Sequence, residues 1–171
     1  MKKVLLTGLM VALVSTGSIF AQAQKIGHIN MQELVTAMPE SDSAQVKLKK
    51  AANELDNTYQ QLQDEFKKKY DDYNKNASTF SDLVRNTKET ELQDMSQRMQ
   101  TFQQNAQQDL QTQQQKLMKP ILDKANKAIS DVARENKFTY VLDSTQGIIL
   151  YMGTDAIDLM PLVKKKLGLK E

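Results

Sequence analysis

Apolar residues in the middle of the chain recur in alternating steps of three and four. This spacing, between about residues 41 and 136, predicts helices that pack along one seam. The stretch has no glycine and a single proline, Pro120, which favours long helix and predicts a bend at that residue. On the outward helix the predicted seam is Leu48, Ala52, Leu55, Tyr59, Leu62, Phe66, Tyr70, Tyr73, Ala77, Phe80 and Val84. On the return helix it is Leu92, Met95, Met99, Phe102, Ala106, Leu110, Leu117, Ile121, Ala125, Ala128 and Val132.

The helical stretch is too long for one helix of a small protein. A continuous helix would measure about 140 Å, so we expect an antiparallel hairpin with arms of about 70 Å each. Residues 74–81 are rich in turn formers, and Asn86 to Glu89 resembles a capping box. The reversal is therefore expected within residues 76–88, and the midpoint of the stretch favours the later site. Two consecutive steps of four, from Leu62 through Phe66 to Tyr70, predict a stutter in the seam.

Shorter segments with a different period flank the helices. Their β-branched and aromatic residues predict strands, which places sheet elements from both ends of the chain at the base of the hairpin. The predicted fold is therefore α+β: a small β-rich oligomerisation body, formed by residues 24–40 and 137–171, carries a helical arm formed by residues 41–136. The predicted elements of the body are a strand at 25–30, a short helix at 31–38 interrupted by Pro39, strands at 138–142 and 148–152 joined by a hairpin loop at 143–147, and a closing helix at 158–168.

Residues 1–23 have the organisation of a secretory signal peptide. Lys2 and Lys3 precede an apolar stretch, and Ala21-Gln22-Ala23 supplies a small-x-small cleavage pattern. A membrane anchor is the less favoured interpretation, because the stretch is short and contains several hydroxyl residues. The chain has no cysteine, so its stability must come from packing or assembly rather than from disulfides.

The charge balance and the motifs exclude several classes of function. Without Lys2 and Lys3 the 23 basic residues become 23 − 2 = 21, against 21 acidic ones, and this neutrality argues against a nucleic-acid partner. His28 is the only histidine, and the sequence contains no nucleotide-binding, metalloprotease or catalytic-triad motif. We therefore expect no enzymatic activity, no metal and no cofactor.

Three segments carry a resemblance to a known family. They are KIGHINMQELV at residues 25–35, MQTFQQ at 99–104, and the stretch from Ile121 to Leu150 followed by Asp158 and LVKKKLG. In this order the segments resemble the OmpH-like (Skp) family. The resemblance implies a homotrimer in which three helical arms extend from a β-rich body. It also implies an ATP-independent periplasmic holdase, a chaperone that binds unfolded outer-membrane proteins and prevents their aggregation.

The resemblance and the seam together suggest two sets of site residues. Flexible apolar side chains suit a surface that binds unfolded chains, and Leu83 is the best candidate outside the seam, although most of the others could simply form the seam. The client-binding candidates are Phe66, Tyr70, Tyr73, Phe80, Leu83, Met95, Met99 and Phe102. The trimerisation candidates are Ile26, Ile29, Tyr140, Leu142, Ile149 and Tyr151.

Two other functional classes stay open at this point. One is a structural coiled-coil element of the envelope or an adaptor, and the other is a module that binds lipid or polysaccharide. The family's basic lipopolysaccharide-binding cluster has no clear counterpart here. Arg85, Lys88 and Arg98 are the nearest residues, so any contact with lipid or lipopolysaccharide is expected to be weak.

Overall fold

The computed structural model describes residues 24–145, 147 and 149–170. The proposed signal peptide lies outside this part of the chain. The elements are β1 (Ile26–Ile29), α1 (Met31–Thr36), α2 (Pro39–Asn76), a 3-10 turn (Ala77–Thr79), α3 (Asp82–Glu135), β2 (Tyr140–Asp143), β3 (Ile157–Asp158) and α4 (Met160–Leu167). In the described residues, no helix is both long and apolar enough to cross a membrane.

Helices α2 and α3 form the antiparallel arm. Tyr59 lies beside Phe102, and Tyr73 lies beside Phe80, so the outward and return segments of the arm run in opposite directions. The 38 residues of α2 and 54 residues of α3 correspond to about 57 Å and about 81 Å. Since α3 continues past the start of α2 into the body, the arm is not symmetrical about its midpoint.

The chain reverses direction at Ala77 to Ser81, at the early end of the expected range. The Ser81 hydroxyl caps α3 by accepting a hydrogen bond from the Val84 amide, 3.4 Å away. The later site, near residue 88, was wrong: the capping-box sequence at residues 86–89 lies inside α3. The midpoint was misleading because the two helices differ in length.

The seam follows the predicted spacing except near the tip. Lys69, rather than the expected Tyr70, is the half-buried seam residue after Phe66. The steps from Phe66 to Lys69 and from Lys69 to Tyr73 are therefore three and four. The predicted stutter is therefore absent, and Tyr70 is exposed. On α3, Arg85 is half-buried while Val84 is exposed. A long basic side chain can pack its aliphatic stem in a seam while its charged end stays in water.

Pro39 and Pro120 both occupy positions that a helix tolerates. Pro39 occupies the first turn of α2, where its missing N–H has no helical partner to lose. It therefore starts the long helix after the break at Ala37 and Met38. Pro120 lies inside α3, which continues as a helix on both sides of it.

The sheet differs from the prediction in strand order and direction. Its order is β2-β1-β3, and β1 pairs in parallel with both neighbours. The predicted hairpin of two C-terminal strands was therefore wrong. Residues 149–152 form no strand, and the chain instead crosses over to place Ile157 and Asp158 beside β1. Parallel neighbours require such a crossover connection, whereas a tight hairpin joins only antiparallel strands.

Gly27 allows the body to close around β1. A Cβ atom at this position would lie 2.2 Å from Leu159 Cδ1 and 2.8 Å from Phe138 Cε1, so only glycine fits without movement. The amide of Leu159 also donates to the carbonyl of His28 over 2.9 Å. Helix α4 follows and ends at Gly168, whose φ of 69° gives the left-handed cap expected from the sequence.

The hydrophobic core lies where the sheet, α1, α4 and the base of the arm meet. Its members come from both ends of the chain, so closing the body also fixes the arm's root. The buried core residues are Ile29, Leu34, Val35, Met38, Ala44, Ile121, Ala125, Ala128, Val132, Leu159, Met160 and Val163.

Candidate functional site

The outer face of the sheet is apolar and uncovered in the single chain. In the parallel register Ile26 pairs with Tyr140, and His28 pairs with Leu142, which places these four residues on the same face. Ile26, Tyr140 and Leu142 are exposed, while the alternate positions Gly27 and Ile29 point into the core. The sheet thus has one face packed in the protomer's core and one face exposed among the described residues.

The crossover segment adds to this apolar surface. Leu150 is 96% exposed and Tyr151 is 85% exposed, and Met152 is exposed as well. Tyr151, Met152 and Ile149 line a groove of about 390 Å³ together with Ile26 and Leu142. We refer to Ile26, Tyr140, Leu142 and residues 149–152 as the apolar body surface.

Most of the trimerisation candidates lie on this surface. Ile26, Tyr140, Leu142 and Tyr151 are exposed, and Ile149 is half-buried. Ile29 is only 2% exposed inside the protomer's own core, so it offers no surface to another copy. Leu150 and Met152 share this exposed surface but were not among the sequence candidates, although the uninterrupted apolar run at residues 149–152 gave a signal. Such a run lacks the alternation of a half-buried strand.

The client-binding candidates fall into two groups on the arm. Phe66 stacks on Tyr70 at 6.0 Å between ring centroids, Tyr73 packs against Phe80 at 6.2 Å, and Phe102 stacks on Tyr59 at 6.3 Å. These aromatic residues are half-buried, except for the exposed Tyr70.

The methionine and leucine candidates differ more sharply in exposure. Leu83, on the first turn of α3, is 78% exposed. Met99 is half-buried, and Met95 is 6% exposed because it is enclosed between the two helices. In this conformation Leu83 and Tyr70 therefore offer the most accessible apolar surface, and Met95 offers almost none.

Charged residues replace apolar contacts in the distal seam. Lys69 bonds to Glu91 across the hairpin, and Lys88 lies 3.8 Å from the other oxygen of the same carboxylate. The hydrogen bond from Lys69 lowers the pKa of Glu91, and in return raises the pKa of Lys69. The Tyr73 hydroxyl donates to Glu89, which raises the pKa of Tyr73.

The basic residues near the tip are partly committed to the arm itself. Arg85 Nη2 donates to the carbonyl of Ala77 over 3.4 Å, and its buried Nε atom has no partner in the described part of the chain. Lys88 lies beside Glu91, whereas Arg98 lines shallow grooves on the arm. The structure does not bring Arg85, Lys88 and Arg98 together as one anion-binding cluster.

Within residues 24–145, 147 and 149–170, no group of three or more His, Asp or Glu side chains could hold a metal ion. His28 lies on the outer sheet face, opposite Leu142 in the register.

The chain resembles known proteins in both sequence and fold. The family model for outer membrane proteins of the OmpH-like type matches residues 25–167. A similar solved structure is that of an OmpH-like protein from Caulobacter crescentus CB15, described as an outer membrane chaperone. The two folds agree with a TM-score of 0.73 at 14% sequence identity, over 84% of this chain and 83% of the other. No curated protein sequence matches the chain. Because the family model spans the sheet, the arm and the closing helix, the chain belongs to the OmpH-like outer membrane protein family.

Proposed function

We propose that this protein is an ATP-independent holdase chaperone that binds unfolded outer-membrane proteins in the periplasm. Membership of the OmpH-like family and the chaperone description of the Caulobacter protein support a chaperone role. The observation that carries the proposal is the arm itself. Its two helices leave aromatic and aliphatic side chains half-buried or exposed along the projection, and beyond its base the arm packs against no other described element.

The apolar body surface supports assembly into a homotrimer. A monomeric soluble protein rarely exposes a contiguous apolar patch of this kind, so we infer that other copies cover Ile26, Tyr140, Leu142, Ile149 and Tyr151. Leu150 and Met152 belong to the same interface by their position. Three copies would hold three arms side by side, and the arms could then contact one client together.

Clients are proposed to contact the distal arm between Phe66 and Phe102. Leu83 and Tyr70 would make contact directly, and Phe66, Tyr73, Phe80, Met99 and Phe102 would contribute the edges that the seam leaves uncovered. Met95 would reach a client only if the two helices separate. Many weak apolar contacts of this kind hold a client without fixing its geometry, and they release it as the client folds, with no need for ATP.

The periplasmic location rests on the proposed signal peptide at residues 1–23 and on the family. The near-neutral charge of residues 24–171 suggests that apolar contact outweighs electrostatic capture. Weak contact with lipid or lipopolysaccharide would be a secondary property, since Lys88 near the tip already has an acidic neighbour.

The proposal can be tested with residues 24–171 and an outer-membrane barrel unfolded in urea. On dilution of the urea, we expect the protein to keep the barrel soluble at a fixed stoichiometry of three chains per client, without nucleotide. Light scattering gives solubility, and analytical ultracentrifugation gives the mass of the complex. A stable monomer, or no protection of the barrel, would overturn the proposal and favour a structural coiled-coil element of the envelope.

A further inference from the structure

A second groove lies at the base of the arm, away from the tip and from the apolar body surface. It has a volume of about 460 Å³ and runs between the first two turns of α2 and the segment of α3 around Pro120. Ala44 and Ile121 are buried in its floor, and Leu117 is half-buried beside them. The remaining lining residues are Pro39, Glu40, Ser43, Lys47, Lys116, Pro120 and Lys124.

The rim of this groove carries an excess of positive charge. Three lysines line it against one acid, Glu40, which is already paired with Lys124. Lys47 and Lys116 make no ion pair within 4 Å with any residue that the structure describes. The groove is thus a local cationic site, although residues 24–171 as a whole carry balanced charge.

Pro120 adds a main-chain feature to the groove. It has no N–H to donate to the carbonyl of Lys116, the acceptor that an unbroken helix would pair with it. This carbonyl keeps spare capacity to accept a hydrogen bond. An apolar floor and two ammonium groups without a described ion-pair partner therefore line one open groove, beside the main chain at Pro120.

We propose that the groove binds an extended segment of the client in which an apolar side chain lies next to a carboxylate. The inference rests on the proposed function, because it assigns a second contact point to the same unfolded client. Charge complementarity favours a carboxylate, and the floor of Ala44, Leu117 and Ile121 takes the apolar side chain. An acyl chain is a poorer match, because ligand pockets normally enclose most of such a molecule, whereas this groove is open along its length.

The test uses short fluorescein-labelled peptides and fluorescence anisotropy at low ionic strength. One peptide alternates Leu and Ser and carries two Asp residues; a second replaces each Asp with Lys, and a third replaces each Leu with Ala. The test variant is Lys47→Gln with Lys116→Gln, and the matched control is Lys49→Gln with Lys165→Gln. Lys49 of α2 and Lys165 of α4 are exposed lysines that do not line the groove and lie outside the distal arm.

We expect the Asp peptide to bind about five-fold more weakly to the test variant and unchanged to the control, since each exposed charge contributes modestly. The Lys and Ala peptides should bind weakly to all three proteins. Equal binding of the Asp peptide to all three proteins would overturn the inference. The inference would also be overturned if binding of phosphatidylglycerol vesicles, but not of the peptide, required Lys47 and Lys116. That result would assign the groove to lipid.

The outcome is separable from that of the proposed function when aggregation of the unfolded barrel is measured in parallel. If the unsubstituted protein protects the barrel but binding of the Asp peptide does not depend on Lys47 and Lys116, the groove assignment fails and the proposed holdase function is retained. If the unsubstituted protein gives no protection but binding of the Asp peptide still requires both lysines, the groove assignment is retained and the proposed holdase function fails.

Discussion

The body and the arm of this protein are stabilised in different ways. In the body, Leu34, Leu159 and Val163 are completely buried, and strands from both ends of the chain are hydrogen-bonded together. In the distal arm, a single seam joins two helices, and Lys69, Arg85 and Lys88 occupy positions that apolar residues would fill in a coiled coil. The comparison indicates that the body fixes the architecture, whereas the arm keeps apolar surface available. Because few contacts hold the distal arm together, we expect it to open more easily than the body.

The largest expected effect comes from truncating a core residue of the body. Leu159→Ala should lower the free energy of unfolding by about 3 kcal/mol, because the side chain is fully buried and leaves a cavity. Leu55→Ala removes the same atoms from a half-buried seam position and should cost about 1 kcal/mol. Urea unfolding at one fixed protein concentration gives both values. Equal losses would contradict the distinction between body and arm.

A smaller loss is expected when the close contact at Gly27 is disturbed. Gly27→Ala should cost about 2 kcal/mol, since the added Cβ would overlap with Leu159 and Phe138 in the closed body. Gly153→Ala is the matched control, because its Cβ would lie 2.8 Å from Asp155 Oδ1 and 4.0 Å from Tyr151 Cε1, and the exposed Asp155 side chain can move aside. Thermal unfolding should separate the two variants. A melting temperature for Gly27→Ala close to that of the control would show that the body tolerates repacking.

The arm should show the opposite behaviour, with an effect on clients and little effect on stability. Leu83→Ser should reduce protection of an unfolded barrel by about two-fold, because it removes an exposed apolar side chain near the tip. Val46→Ser removes a comparably exposed side chain near the base of the arm and should leave protection unchanged. Light scattering reports protection, and circular dichroism confirms that both variants stay folded. Equal protection by the two variants would remove the tip from the proposed client surface.

The smallest effect concerns pH and the charged seam. The pKa of Glu91 is lowered from 4.5 by the hydrogen bond from Lys69, so the pair stabilises the arm above that pH and is lost as the pH falls through the lowered value. Wild type should therefore lose slightly more helical signal than Glu91→Gln between neutral pH and about pH 3, measured by circular dichroism. Identical pH profiles would mean that the charged seam does not stabilise the distal arm.

The sequence predicted the arm better than the sheet. Helix and seam follow from local periodicity, so α2 and α3 were recognised from residues such as Leu55, Met95 and Phe102. The errors at Tyr70 and Val84 arose because a count of apolar residues ignores the aliphatic stems of Lys69 and Arg85. Strand order depends on contacts between distant segments, and nothing local in Ile157 or Asp158 indicates that they pair with β1.

The candidate site was predictable to different degrees in the two regions. The exposure of Leu83 agrees with its predicted place outside the seam, although the neighbouring seam residue is Arg85 rather than Val84. The outward direction of Ile26 and Tyr140 agrees with strand alternation. The burial of Ile29 in the protomer and of Met95 between the helices required the folded structure, because burial depends on what packs opposite each side chain. The groove around Pro120 likewise exists only where α2 and α3 meet.

Hydrogen exchange of residues 24–171, with and without an unfolded barrel client, tests the central claim most directly. The account predicts strong protection of β1 and the core part of α3 in both samples. It also predicts weak protection of residues 66–102 in the free protein and a clear gain there when the client is bound. A distal arm as protected as the body before the client is added, or a gain of protection confined to the body, would contradict it.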